Sequence, residues 1–434
     1  MRRVGAKLGL ILAMLLVGNI AHADPFEGPP EPRIFGDWGP RTRLYEKGID
    51  FQVGYVSELA YNAQGGVRNL VDYTDQVAVG ATFNLERLFG FHDAVIQVTY
   101  TERAGRNLVD DAQLGTLQLV QEVYGRGQTV RLTQLWFEQE YFNRMVAWKV
   151  GRTSMGEDFA LFPCHFQNLS FCGSDPGNLV GGYIFNWPIS QWGSRVKVKL
   201  DGFGYYQVGV YDQNQQYLGF DNKLWPVFYQ GSTGVLVPVE LAWLPKFDGG
   251  RLPGSYRIGA WYSSATAPDA VLDINGNLAA LTGMPALQQR GLYGGFFTFQ
   301  QQLTRNASEN PEGGLKVFIN GVLADTATST TDQQFAAGLQ YTGPISWRPN
   351  DVIAFAAGTT HVNNRVTAVQ SLQNSLGLGP VPVKNSEYVF ELYYQVVPTA
   401  GLLFRPNVQY IYSPGGSSQT KDVWVLGLKT VIRF

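Results

Sequence analysis

Along most of the chain, apolar and polar positions alternate with a period of two, in segments of roughly ten residues separated by breaks rich in glycine, proline and asparagine. The terminal stretch KDVWVLGLKTVIRF shows the rule. Trp424, Leu426, Leu428, Thr430, Ile432 and Phe434 fall on one side, while Val423, Val425, Gly427, Lys429, Val431 and Arg433 fall on the other. Only an extended strand sends successive side chains to opposite faces. In SRVKVKL, Val196, Val198 and Leu200 oppose Arg195, Lys197 and Lys199; in YVFELYYQVV, Tyr388, Phe390, Leu392 and Tyr394 oppose Glu391, Tyr393 and Gln395. In LLFRPNVQYIY, Leu402, Phe404, Val408, Tyr410 and Tyr412 oppose Arg405, Asn407 and Gln409. The same pattern predicts strands near 50–62, 73–85, 91–104, 129–141, 146–155, 192–201, 203–213, 233–244, 254–264, 292–303, 314–324, 333–343, 350–361, 386–397, 401–412 and 422–434, about sixteen in all.

A soluble antiparallel sandwich also alternates, but its apolar face meets a packed core. Here tyrosine and tryptophan gather at strand ends on the apolar face, and the opposite face carries small residues, amides and ions. Those are the marks of an aromatic girdle around lipid and of a wet interior. The predicted fold is all-β: a transmembrane antiparallel β-barrel over residues 49–434, with short periplasmic turns and long extracellular loops at 105–128, 156–191, 214–232, 265–291 and 362–385. Outer-membrane lipid is then the surrounding solvent. A barrel must pair its last strand with its first, so the strand ending at Phe434 is the expected signal for the barrel assembly machinery, with the ring as an interfacial anchor.

The first residues add a compartment. Arg2, Arg3 and Lys7 precede an apolar run from Leu8 to Val17 and the triplet Ala21-His22-Ala23, which reads as a signal peptide over 1–23. The run is too short to span a bilayer, and no run of about 18 apolar residues follows Ala23. Residues 24–48 form a periplasmic segment with a short helix, in which Pro40 suits a first helical turn and Gly48 its end. Fifty glycines, 13% aromatic and 16% charged residues fit twisted strands and tight turns. Without the leader, 30 basic residues face 35 acidic ones, which gives no reason to expect nucleic acid. The two cysteines, Cys164 and Cys172, bracket CHFQNLSFC; a local disulfide suits an exported chain, with a metal pair or two free thiols as the other readings.

Several phrases, in order, resemble the OprB-type carbohydrate-selective porins of Gram-negative outer membranes. They are GDWGPRTRLYEKGI (36–49), RAGRNL (103–108), VGRTSMGEDFA (150–160), CHFQNLSFCG (164–173), WPISQWGSRV (187–196), YYQVGVYDQN (205–214), RPND (348–351) and FRPNVQYIYSPGG (404–416). The resemblance covers nearly all of the mature chain and departs in detail at Pro40 and Ser413. It implies a sixteen-stranded barrel in the cell outer membrane that admits sugars, glucose above all, by diffusion through a constriction.

A sugar is neutral and covered with hydroxyls that both donate and accept, so a selective channel needs paired charges, amides and an aromatic face around a ring-sized gap. The candidates for the constriction are Arg103, Arg106 and Glu122 in or beside the first long loop, Trp136 and Glu138 on the following strand, and Arg152, Trp192 and Arg195. Parity sends Trp136, Glu138, Arg195, Lys197 and Lys199 to the lumen if Leu135 and Phe137 face lipid. The plainer alternative is that such charges solvate the wall and hold loops. A general-diffusion pore of the same architecture stays open as a reading. An outer-membrane enzyme needs a nucleophile with a placed base, and the mature histidines, His92, His165 and His361, sit in no such motif. No cofactor and no metal site is expected.

Overall fold

A computed structural model describes Phe26, residues 33–35, 39–219, 228–307 and 310–434. The expected leader at 1–23 lies outside these residues. A helix, Pro40–Glu46, has its proline in the first turn and ends before Gly48, whose φ of 95° only glycine adopts without strain.

Sixteen strands follow among the described residues: β1 (Ile49–Gln64), β2 (Val71–Asn84), β3 (Ala94–Gly105), β4 (Val130–Tyr141), β5 (Val146–Thr153), β6 (Gln191–Leu200), β7 (Gly204–Gln213) and β8 (Gly234–Trp243), then β9 (Leu252–Asp273), β10 (Ala286–Gln302), β11 (Gly314–Ala324), β12 (Thr331–Thr342), β13 (Val352–Val362), β14 (Ser386–Thr399), β15 (Leu402–Tyr412) and β16 (Val423–Arg433). A two-residue piece, Lys246–Phe247, adds to the base of β9. Each strand pairs antiparallel with its sequence neighbours, and β1 pairs with β16 from Gly54 opposite Arg433 to Gln64 opposite Trp424. The sheet has no open edge, which is what lets strands cross lipid with every backbone group satisfied. Because β16 pairs antiparallel with β1, the start of β1 and the end of β16 lie at one rim, where the joins at 200–204 and 399–402 are short. The long connections lie at the other rim.

Strand positions follow the predicted alternation within a few residues, with one correction. Residues 265–291 were expected as a long loop, yet β9 runs to Asp273 and β10 begins at Ala286. The hairpin projects past its neighbours, so both faces are partly wet and carry mixed side chains, and the hydrophobic period fades while the ladder continues.

The two faces also need a correction. On β16 the exposed set includes Trp424 and Leu426, and the hidden set includes Val423, Val425 and Lys429. Across β9–β14, however, the inner face is mixed: Trp261, Phe296, Phe318, Val322, Ala336, Ala354, Ala356 and Val389 are buried there beside Arg257, Asn320, Gln334, Glu387 and Glu391. The reason is that two long connections, 106–129 and 154–190, fold back into the barrel. Phe162, Phe166 and Phe171 pack against Phe318, Ala336, Ala354, Ala356 and Tyr393, and Met155, Phe159 and Ile184 pack against Tyr211, Trp261 and Phe296. Phe166 lies 4.9 Å from the Tyr393 ring and 5.3 Å from that of Phe171. At Gly358 an added Cβ would come within 2.9 Å of Phe171, so the bare wall position is what admits that ring. The barrel interior is therefore half core and half channel.

Candidate functional site

A chain segment folded inside a barrel brings backbone N–H and C=O groups that no strand pairs, and each must find a partner. The wall supplies them. Glu58 on β1 accepts from the N–H of Val123 (3.0 Å), and Glu240 on β8 accepts from Ala160 (2.8 Å). On β14, Glu391 accepts from Gln167 and Asn168 (both 2.8 Å), and Glu387 accepts from Leu117 (2.7 Å) and Gly415 (2.8 Å). Cations and amides do the converse: Lys429 donates to the carbonyl of Phe166 (3.0 Å), Arg405 to that of His165 (3.1 Å), Arg257 to that of Leu161 (2.7 Å) and Gln207 to that of Asp158 (2.6 Å).

Side-chain pairs finish the attachment. Lys429 on β16 bridges Glu122 (2.8 Å) and Glu58 (3.0 Å), all three being nearly or fully withdrawn from solvent. Asp158 meets Lys149 (3.1 Å) and Arg195 (3.3 Å), and Arg195 also holds Glu138 (2.6 Å). Burial alone would raise the Asp158 carboxyl, but Lys149 and Arg195 outweigh it and keep the group ionised below the usual carboxylate range. Next to it, burial lifts Glu157, and burial alone lifts Asp175 to about 7. Burial, then the charges of Arg405 and Lys316, hold the His165 imidazole well below its ordinary value, so it is neutral. Cys164 and Cys172 are disulfide-bonded with Cα atoms 4.2 Å apart, closing the tightest part of the second inward segment.

What remains open is a cavity of about 670 Å³. It reaches from Gly125 and Arg126 on the loop side to Gly401, Leu402 and Leu403 at the opposite rim. Its wall carries two indoles, Trp136 and Trp187, among amides and ions. The Trp187 N–H donates to Gln76 (2.9 Å), which also accepts from Arg103 (2.9 Å), and Lys149 lies 4.6 Å from the Trp136 ring centre. Gln134 donates to Glu157 (3.1 Å) beside them.

Of the eight residues singled out in the sequence, Arg103, Glu122 and Trp136 line this cavity. Glu138 and Arg195 face inward but lie behind Asp158, where they anchor the second inward segment. Three lie elsewhere. Arg106, just past the end of β3, is exposed and pairs with Asp111 (2.6 Å) and Asp72 (3.6 Å). Arg152 and Trp192 stand opposite each other on the outer faces of β5 and β6, alternating with the inward Lys149 and Arg195. There Arg152 lies over the rings of Tyr217 and Tyr229, at 4.8 and 5.7 Å, and Trp192 stacks on Phe228 at 5.5 Å. Trp187, Gln76, Lys429, Glu58 and Arg405 were not singled out. The strand members had inward parity, but parity does not say which loop residue comes to meet them.

The chain matches known proteins along nearly its whole length. The sequence model for "Carbohydrate-selective porin, OprB family" matches residues 68–434. Porin B of Pseudomonas aeruginosa is 42% identical over 432 residues, covering 96% of this chain and 95% of that protein. A putative porin, QuiX, of Acinetobacter baylyi is 33% identical over 454 residues, 99% of each. The high-pH structure of Pseudomonas putida OprB superposes with a TM-score of 0.88 at 42% identity, covering 94% of this chain and 99% of that one. A closed barrel with a narrowed, polar and aromatic bore, and this degree of kinship, have one meaning: the chain belongs to the OprB family of carbohydrate-selective porins, channels of the Gram-negative outer membrane.

Proposed function

We propose that the cavity passes glucose and other monosaccharides, with the long-loop rim outside the cell and the rim carrying the start of β1 and the end of β16 in the periplasm. The observation that carries this is the pairing of the Trp136 and Trp187 indoles with Gln76, Arg103, Glu122 and Gln134 around one continuous bore. An indole face suits the C–H side of a pyranose, and amides and ions suit its hydroxyls. A hexose exchanges water for charge-assisted bonds worth about 1.5–3 kcal/mol each before lost hydration is subtracted. Binding is therefore weak, as conduction requires.

In planar bilayers glucose should reversibly reduce the ion current while glycerol does not, and Trp136→Ala or Glu122→Gln should weaken that block. Equal responses to glucose and glycerol would favour a general-diffusion pore. The N-terminal segment supports the periplasmic assignment of the closing rim: Arg33 donates to the carbonyl of Phe434 (3.2 Å) and pairs with Asp50 (3.3 Å), and the Phe35 ring lies 5.7 Å from that of Phe434. Recognition of the last strand by the assembly machinery rests on the same corner. Deleting Phe434 should lower the amount of assembled barrel, measured by the heat-modifiable band in outer-membrane fractions.

A further inference from the structure

The described residues lining the cavity include seven arginines and lysines against four carboxylates. The acids are taken up by three lysines and by Arg103, which lies 4.0 Å from Glu122. Glu122 pairs with Lys429, Asp158 with Lys149, and Glu312 with Lys316, while Glu157 lies 3.8 Å from Lys149. The surplus positive charge is carried by arginine, in two places.

One is the loop side. Arg126 donates to the carbonyls of Gly181 and Gly177 (both 2.7 Å) and has no carboxylate within ion-pair distance among the described residues. It borders both the central cavity and a second hollow of about 410 Å³ formed by Asn107, Leu119, Tyr124 and Gln128. Anything entering by that hollow passes Arg126. The other place is the opposite rim, where Arg405 donates to Gln395 (2.7 Å) and to the carbonyl of His165, lies 5.8 Å from the Tyr393 ring centre, and likewise has no carboxylate at ion-pair distance. Gly401, Leu402 and Leu403 border the bore beside it.

We infer that the channel admits sugar acids, polyols bearing one carboxylate such as aldonic and uronic acids, ahead of neutral sugars of the same size, with Arg126 receiving the carboxylate at entry and Arg405 before exit. This rests on the sugar-channel reading and narrows its substrate class. A guanidinium offers a planar pair of donors that matches a carboxylate, and its weak hydration lets it exchange water for that ligand. Two such groups at opposite ends of a bore, with internally neutralised pairs between them, draw an anion in and give it a second place to move to. The polyol part uses the indoles and amides already described. Burial, and then the nearby charges of Arg103 and Arg131, lower the Arg126 guanidinium to about 10, so an incoming carboxylate relieves an existing repulsion.

The test uses the full-length protein in planar bilayers and in proteoliposomes. The gluconate-to-potassium permeability ratio is read from the reversal potential under a potassium gluconate gradient, and gluconate and glucose entry are compared by liposome swelling. Gluconate should enter faster than glucose, and its advantage should fall on the order of tenfold in Arg126→Gln/Arg405→Gln. The charge-preserving pair Arg126→Lys/Arg405→Lys should keep more of it than the glutamine pair but less than the native protein, and Arg106→Gln, outside the cavity, should leave it at the native value. If the double variant does not assemble, Arg126→Gln alone, in a loop, should show the same trend. Normal potassium chloride conductance with gluconate no faster than glucose, or with an advantage the glutamine variants leave intact, would overturn the inference while the channel stands. Absence of any stable conductance would overturn both.

Discussion

The inward connections, 106–129 and 154–190, differ sharply from the outward one at 363–385. The outward connection carries the longest helix among the described residues, Asn364–Ser375, and no residue of that helix is buried. The inward pair bury Leu108, Leu114, Val120, Phe159, Phe166, Phe171 and Ile184 almost completely and meet a wall thinned by glycine and alanine. Apolar content alone does not decide the matter, since Leu372, Leu376 and Leu378 stand exposed on the outward segment. What separates the two is reciprocity: inward segments find glutamates for their N–H groups and cations for their C=O groups at wall positions of the right parity. The bore is what those attachments leave open.

The largest expected effect comes from removing the cation shared by wall and loop. Lys429→Met strands the Glu58 and Glu122 carboxylates in a buried site, which should cost about 3–5 kcal/mol and expose 106–129 to protease, read by urea unfolding of the detergent-solubilised barrel and by limited digestion. A smaller cost follows from cutting the aromatic contact. Phe166→Ala should lose about 3 kcal/mol, whereas Leu372→Ala on the outward helix should change stability by less than about 0.5 kcal/mol. Equal costs at the two positions would erase the distinction between the segments.

Breaking the Cys164–Cys172 bond by double serine substitution should cost about 2–3 kcal/mol, as expected for so short a closed loop. A pH-dependent effect isolates Asp175. Its folded pKa, raised to about 7, exceeds its unfolded value near 4, so its contribution is fully present below pH 4 and is lost as pH rises through about 7. His165 acts with the opposite sign, losing stability as pH falls below about 6.5, so the comparison is native against Asp175→Asn. The substitution should flatten the rise in protease sensitivity of 154–190 between pH 5 and 8.

The strands were legible because each is ten or so residues of strict alternation between two solvents, and because pairing follows chain order. β9 and β10 escaped at their outer ends, where both faces are partly wet and Ala265, Ala267 and Asp269 give no apolar set. The site was legible in part for the same reason. Trp136 and Glu138 face inward as parity requires, whereas Arg106 lies past a strand end, where parity carries no information. Arg152 and Trp192 stand on the outer set, and only the alternation with Lys149 and Arg195 reveals it. That the barrel's interior glutamates hold loop backbone, and that β9–β14 present aromatic and alanine positions among their inward polar ones, depends on which segments return to the lumen. No local period encodes that.

The bore of this sugar channel is set by the inward segments and held by Lys429. The most direct measurement compares single-channel currents of the native protein and Lys429→Met in the same bilayer during a glucose titration. The native protein should show a small, stable conductance that glucose lowers reversibly, and the variant a larger conductance with weaker glucose block. A native current indifferent to glucose, or a folded Lys429→Met barrel with native conductance and native block, would contradict the account.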